Sequence, residues 1–149
     1  MGQCYSVSLR VGWTADEANI KRASDALRKK IEDDELCKNA SYSLDKWKEL
    51  GVEPQNYLDS SNSFHNLMRI FLAGWPVNYF DFREVRDRTG KWWVYDSDFD
   101  ARYGWETILW EMFEVIAPFV DEGSYIEVAP DSGSWRLEAI NGKAVEVSV

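Results

Sequence analysis

Histidine, cysteine and proline are scarce in this chain of 149 residues, which has one histidine, two cysteines and four prolines. His65, Cys4 and Cys37 follow no spacing that a zinc site uses, so we expect no metal and no other cofactor. Two cysteines without a CxxC pair or a secretory leader are typical of reduced thiols in an intracellular protein. The chain also has no run of 18 apolar residues, so we expect no association with a membrane.

Basic residues are also fewer than acidic ones: the chain has 17 lysines and arginines and 26 aspartates and glutamates, which gives a net charge of −9. A chain this acidic is poorly suited to grip phosphates, which excludes direct binding of nucleic acid as its role. Aromatic residues are plentiful, with eight Trp, seven Tyr and seven Phe, and they favour a folded core over disorder. At this length we expect residues 1–149 to form one domain.

The excess negative charge lies in one segment. Residues 1–95 hold 14 basic and 14 acidic side chains and residues 132–149 hold two of each, whereas residues 96–131 hold one basic and ten acidic. The ten carboxylates are those of Asp96, Asp98, Asp100, Glu106, Glu111, Glu114, Asp121, Glu122, Glu127 and Asp131. This excess of acidic over basic residues is larger than solubility requires, so we expect it to serve a function. The alternative is an acidic face that is simply exposed to solvent.

The spacing of apolar residues predicts an α+β domain. Residues 3–13 alternate between apolar and polar, which is typical of a strand with one buried face. Thr14 and Glu17 have the spacing of a capping box at the start of a helix. Helical spacing recurs at residues 14–32, 43–50, 63–73 and 103–120. Further strands are predicted at residues 77–87, 91–95, 125–129, 134–140 and 143–149. We therefore expect a mainly antiparallel sheet of five or six strands, with about four helices packed on one face.

Residues 96–102 are predicted to form an acidic loop before the last helix. The run at 96–100 places carboxylates where a calcium loop begins, but Ala101 and Thr107 replace the glycine and glutamate that complete the motif. A pair of carboxylates could also serve a hydrolase that cleaves glycosidic bonds. Because His65 lies on an apolar helix and no nucleophile elbow is present, we expect that the protein is not an enzyme.

Aromatic residues near the acidic segment predict a docking surface. Trp92 and Trp93 are neighbours on a strand, so they point to opposite faces and one of them leaves the main core. Tyr103 and Trp110 fall off the buried stripe of the last helix. Aromatic rings supply contact area while carboxylates steer a basic partner. The predicted partner-binding residues are Asp96, Asp98, Asp100, Glu106, Glu111, Glu114, Asp121, Glu122, Trp93, Tyr103 and Trp110.

Several stretches resemble a family of small uncharacterised proteins from phages and mobile elements of Gram-positive bacteria, including gut bacteria. The likeness is best at residues 104–106, 112–118, 123–127 and 135–136, and looser at residues 1–3 and 71–75. No catalytic residue carries over from the resemblance. It implies a role in the cytoplasm of a bacterial host, where small acidic proteins of such elements often inhibit host defence, as anti-CRISPR proteins do.

Charge pattern and resemblance together predict a non-enzymatic inhibitor that places the 96–122 acidic surface in a basic groove of a defence nucleoprotein, such as a CRISPR effector. Regularly spaced carboxylates can imitate the charge track of a nucleic-acid backbone. One alternative is an accessory domain that binds a protein or ligand through exposed aromatics. A carboxylate-dependent hydrolase is another. The sequence leaves the oligomeric state and the identity of the partner open.

Overall fold

A computed structural model describes residues 2–14, 16, 18–32, 63–72, 81–102, 104–131 and 133–148 of the chain. Its elements, in chain order, are β1 (Gly2–Gly12), α1 (Ala18–Glu32), α2 (Ser63–Leu72), β2 (Asp81–Asp87), β3 (Gly90–Arg102), α3 (Trp105–Ile116), a 3-10 helix (Ala117–Phe119), β4 (Tyr125–Pro130), β5 (Trp135–Ile140) and β6 (Lys143–Val147).

The six strands form one antiparallel sheet in the order β2-β3-β1-β4-β5-β6. Strand β1 lies inside the sheet and pairs with β3 along its whole length, from Gly2 opposite Arg102 to Gly12 opposite Trp92. On its other side it pairs with β4 from Tyr5 to Arg10. The predicted α+β class with an antiparallel sheet of five or six strands is confirmed.

The described residues contain three α-helices and one 3-10 helix, where about four helices were predicted. The helix predicted at residues 43–50 lies outside the described residues. Helices α1, α2 and α3 contribute buried residues to the same core as the sheet. None of the described helices combines the length and the apolar character that crossing a bilayer demands.

The core lies on one side of the sheet because β1 alternates strictly. Tyr5, Val7, Leu9 and Val11 are buried, while the intervening Cys4 and Ser6 are exposed. The apolar side chains meet those of the neighbouring strands and the helices, and removal of their surface from water stabilises the fold. The largest fully buried side chains are Trp105, Tyr5, Tyr95, Phe71, Phe113, Leu9, Leu27, Leu67 and Met68.

The prediction of an acidic loop at residues 96–102 was wrong, because this segment is the second half of β3. Its acidic residues alternate with Tyr95, Ser97 and Phe99, which are buried on the helix side. That period of two matches β1, and hydrogen bonding to β1 then extends the strand to Arg102. The carboxylates of the segment therefore all point away from the helices.

The predicted cap of α1 was also wrong. The helix begins at Ala18, whose backbone N–H donates to Oδ1 of Asp16 over 2.9 Å. Thr14 instead donates hydrogen bonds from its backbone N–H and its hydroxyl to Oδ2 of Asp121. A side chain that the sequence suggested as a helix cap thus fastens the end of β1 to the loop before β4.

Replacing the central apolar residue of β1 tests its alternation. Leu9 is fully buried, so we expect Leu9→Ala to lower the free energy of unfolding by about 2–5 kcal/mol, through lost apolar burial and a cavity. The control Ser6→Ala changes a solvent-facing position on the same strand and should alter it by less than about 0.5 kcal/mol. Urea unfolding measures both values, and equal losses would contradict the assigned faces.

Candidate partner-binding groove

The face of the sheet that the helices leave open carries a shallow groove along β1. Two adjoining depressions of about 750 Å³ and 180 Å³ form it, and both are lined by Ser6, Asp98 and Ala129. Strand β1 provides the floor, while β3 and β4 provide the two sides. We call this feature the acidic groove and define it by the side chains of Cys4, Ser6, Ser8, Asp96, Asp98, Asp100, Glu127, Ala129 and Asp131.

The strand register arranges these side chains in three cross-strand rows. The rows are Asp96–Ser8–Glu127, Asp98–Ser6–Ala129 and Asp100–Cys4, the last extended by Asp131 just past β4. Alternate residues of a strand lie about 6.8 Å apart, and the strands on either side of β1 lie about 9.6 Å apart. The groove is therefore a polar floor between two carboxylate-bearing strands.

Hydrogen bonds from the floor fix two of the carboxylates. The Ser8 hydroxyl donates to Oδ1 of Asp96 over 2.9 Å, and the Cys4 thiol donates to Oδ1 of Asp100 over 2.7 Å. The hydrogen bond and the negative charge of Asp100 raise the pKa of the Cys4 thiol, which keeps it protonated and poorly nucleophilic. Asp98 is exposed and has no hydrogen bond or ion pair within the described ranges.

Two arginines that flank the groove, Arg83 and Arg136, are already paired. Arg83 contacts Oδ2 of Asp96 at 2.6 Å, and Arg136 contacts Oε1 of Glu127 at 3.6 Å. Among the described residues, no lysine or arginine forms an ion pair with Asp98, Asp100 or Asp131. The end of the groove that contains these three residues is therefore negative without compensation, and it attracts cationic groups from solution.

The carboxylates of helix α3 lie on the other side of the sheet. Glu106 stands in the first turn of α3, and its Oε2 accepts a hydrogen bond from the buried Tyr5 hydroxyl over 2.5 Å. Burial and this contact with Glu106 both raise the pKa of Tyr5. Glu111 is half-buried, and its Oε2 has no hydrogen-bond partner in the described part of the chain, whereas Glu114 is exposed.

Asp121 and Glu122 form hydrogen bonds that hold the loop before β4 to the end of β1 and to the β5–β6 turn. Asp121 binds Thr14, and its backbone N–H donates to the carbonyl of Gly12 over 2.9 Å. Glu122 accepts a hydrogen bond from the backbone N–H of Asn141 in the β5–β6 turn, with Oε2 at 3.0 Å. The structure thus brings Asp96, Asp98 and Asp100 together and places the other five predicted carboxylates, Glu106, Glu111, Glu114, Asp121 and Glu122, outside the groove.

The predicted aromatic residues do not join the groove either. Trp93 points to the helix side and is half-buried, and Trp110 packs on Trp135 with ring centroids 5.0 Å apart. Tyr103 lies outside the described residues. Trp92 is the member of the tryptophan pair that leaves the main core, yet it is only 8% exposed, because it lies against Gly12 and beneath the guanidinium of Arg10.

The sequence pattern did not predict the groove residues that lie outside β3. Cys4, Ser6 and Ser8 were seen only as the polar half of an alternating strand, and Glu127 and Asp131 only as part of the charge count. The usable signal was the alternation itself. Strand β1 and residues 95–100 share a period of two, which predicts that their polar faces coincide if the two segments pair.

The carboxylates of the groove are arranged unlike a metal site. Calcium needs six to eight oxygen ligands at about 2.3–2.6 Å from one point, whereas the aspartates of an extended strand lie about 6.8 Å apart. Within the described ranges, no group of three or more histidine, cysteine, aspartate or glutamate side chains could hold a metal ion.

Beyond Ser8, the open face of β1 continues to Arg10, whose side chain is held by Asp87. Its Oδ2 accepts a hydrogen bond from Arg10 over 2.6 Å. Its Oδ1 accepts from the hydroxyl and backbone N–H of Thr89, from the backbone of Gly90 and from the indole of Trp92. These hydrogen bonds, those from Thr89 first, lower the pKa of Asp87 to about 2. Asp87 thus orders both the β2–β3 turn and the Arg10 side chain.

Acid titration tests this role of Asp87. Its pKa is lowered on folding, so its contribution to stability is complete above the ordinary value of 3.8 and is lost as the pH falls through about 2. We expect Asp87→Asn to lower the melting temperature at pH 7, and the difference from wild type to shrink between pH 4 and pH 2. The control Asp81→Asn, on the same strand and face, should change little. A difference that is constant with pH would contradict the assignment.

Comparisons with known proteins assign no family. No protein-family model matches the chain, and searches of curated proteins and of solved structures give no match. The function is therefore argued from the groove and its charge.

Proposed function

We propose that this protein is a binding protein that presents the acidic groove to a basic, nucleic-acid-binding surface of a partner protein and so inhibits the partner. The observation that carries the proposal is the row of carboxylates along β3, on an open and ordered sheet face, in which Asp98 and Asp100 have no ion-pairing partner among the described residues. In the setting that the sequence resemblance implies, the partner is a defence nucleoprotein of a bacterial host, such as a CRISPR effector.

The geometry of β3 supports mimicry of a nucleic acid. Asp96, Asp98 and Asp100 occupy alternate positions on one face, so their carboxylates follow one another at about 6.8 Å. Successive phosphates along a nucleic-acid strand have a similar separation. A surface of lysines and arginines that is spaced to receive phosphates can therefore receive this row.

The rigidity of the groove also favours binding. The carboxylates project from a sheet that is paired on both sides of β1, and Ser8 and Cys4 hold two of them by hydrogen bonds. A pre-ordered surface loses little conformational entropy when a partner docks. Its negative field accelerates encounter with a basic partner, and this attraction weakens as the ionic strength rises.

We restrict the proposed surface from residues 96–122 to the sheet face. Residues 96–100 belong to it, together with Glu127 and Asp131, whereas the carboxylates of α3 lie behind the sheet. The groove is shallow, and its one thiol is held protonated by Asp100. These features suit the docking of a protein surface better than the enclosure of a small substrate. Trp93 packs on His65 and Trp110 on Trp135, so neither of these two tryptophans is assigned to the proposed docking surface.

Charge reversal in the groove tests the proposal. We expect Asp98→Lys with Asp100→Lys to weaken capture of partner proteins from a bacterial lysate about tenfold or more, because it replaces attraction by repulsion. Wild-type protein should release the same proteins as salt rises from 50 to 500 mM.

The matched control is Glu114→Lys with Glu146→Lys, which makes the same change of net charge at two exposed positions outside the groove. This control should retain capture. Equal loss in both double variants would show that only total charge matters, and full capture by the groove variant would overturn the proposal. Circular dichroism establishes that each variant is folded.

A further inference from the structure

His65, the single histidine of the chain, lies among aromatic rings at the β2 edge of the sheet. Its imidazole centroid is 4.2 Å from the ring of Phe82 on β2 and 4.7 Å from that of Trp93 on β3. Its Nδ1 atom is 2.6 Å from the hydroxyl oxygen of Tyr95. The imidazole therefore joins the N-terminal half of α2 to both strands of the β2–β3 hairpin.

The opposite end of α2 is held by groups that do not titrate near neutral pH. The Ser97 hydroxyl donates to the carbonyl of Leu72 over 2.7 Å, and the Trp105 indole donates to the carbonyl of Phe71 over 2.8 Å. These hydrogen bonds satisfy carbonyls that the last turn of a helix leaves without partners. A change at His65 therefore acts on one end of α2 while the other end stays attached.

The surroundings of His65 oppose a positive charge on it. Burial lowers its pKa from the ordinary value of 6.5, and Arg69, one turn later on α2, lowers it further. Glu84, on the same strand as Phe82, pairs with Lys91 and accepts a hydrogen bond from the Trp93 indole, so its charge is already engaged. Among the described residues, the ring contacts and hydrogen bond of the imidazole come from β2 and β3, and the charged group that acts on its pKa is Arg69.

We propose that His65 is a proton-sensitive latch between α2 and the β2–β3 hairpin. The neutral imidazole accepts a hydrogen bond from the Tyr95 hydroxyl and packs between two rings. Protonation turns Nδ1 into a donor, so the Tyr95 hydroxyl must turn its own hydrogen away and accept instead, and it places a cation in a half-buried site beside Arg69. The contact between the N-terminal half of α2 and the hairpin then loosens, and more of the rings of Trp93 and of Phe82, which is already 42% exposed, becomes accessible to solvent.

Nuclear magnetic resonance tests the latch without any partner, so the result is independent of the proposed binding function. Because the chain has one histidine, its imidazole signals need no assignment by mutation. We expect them to titrate with a midpoint below 6.5, and hydrogen-exchange protection of amides in residues 63–72 to fall with the same midpoint. In His65→Phe, which keeps a ring but cannot be protonated, protection should not depend on pH in this range.

Tyr95→Phe provides a second variant that keeps the histidine and the ring packing. Loss of the hydroxyl removes a donor that favours the neutral imidazole, so the titration midpoint should rise towards 6.5. A purely structural role for Tyr95 would leave the midpoint unchanged. The proposal is overturned if His65 titrates at or above 6.5 in wild type, if protection of α2 does not change with its titration, or if His65→Phe shows the same change.

Discussion

The structure depends on the alternation of apolar and polar residues in β1, which pairs with β3 along its whole length and with β4 from Tyr5 to Arg10. Tyr5, Val7, Leu9 and Val11 supply the centre of the core, and a shift of the register by one residue would turn them to the open face. The same constraint turns Cys4, Ser6, Ser8 and Arg10 to the open face. Because β3 pairs with β1 from end to end, the open face also receives Asp96, Asp98 and Asp100, the alternate residues of β3 in its acidic half. Packing on one side of the sheet thus determines the charge on the other.

The acidic residues fall into two groups: those that form hydrogen bonds within the fold and those that face solvent on the open side of the sheet. The carboxylates of Asp121 and Glu122 bind backbone N–H groups of distant turns, and that of Glu106 binds a buried tyrosine hydroxyl. Their charges are used within the fold. Asp98 and Asp100 project from a flat sheet face without an ion-pairing partner among the described residues, and their charges act on the surroundings. Fewer carboxylates are therefore available to steer a partner than the net charge of −9 suggests. Those that are available lie close together on the sheet face.

The sequence predicted the elements whose signal is local. The period of β1, the apolar stripe of α3 and the strands predicted at residues 134–140 and 143–149 each lie within a short window, and the structure has these elements. The groove could not be predicted in the same way, since Ser8 and Asp96 are 88 residues apart and meet only through strand pairing. The run of aspartates at residues 96–100 is typical of a loop, because aspartate is depleted in strands. Three buried residues, Tyr95, Ser97 and Phe99, outweighed that preference.

The central claim, that the sheet face and not helix α3 is the docking surface, is tested most directly by mapping where a basic ligand binds. A ¹⁵N-labelled sample titrated with a ten-residue lysine peptide at 50 mM salt provides that map. The account predicts chemical-shift changes at residues 4–8, 96–100 and 127–131 that are reversed by 500 mM salt. Changes centred on Glu106, Glu111 and Glu114, or spread evenly over the acidic residues, would contradict it.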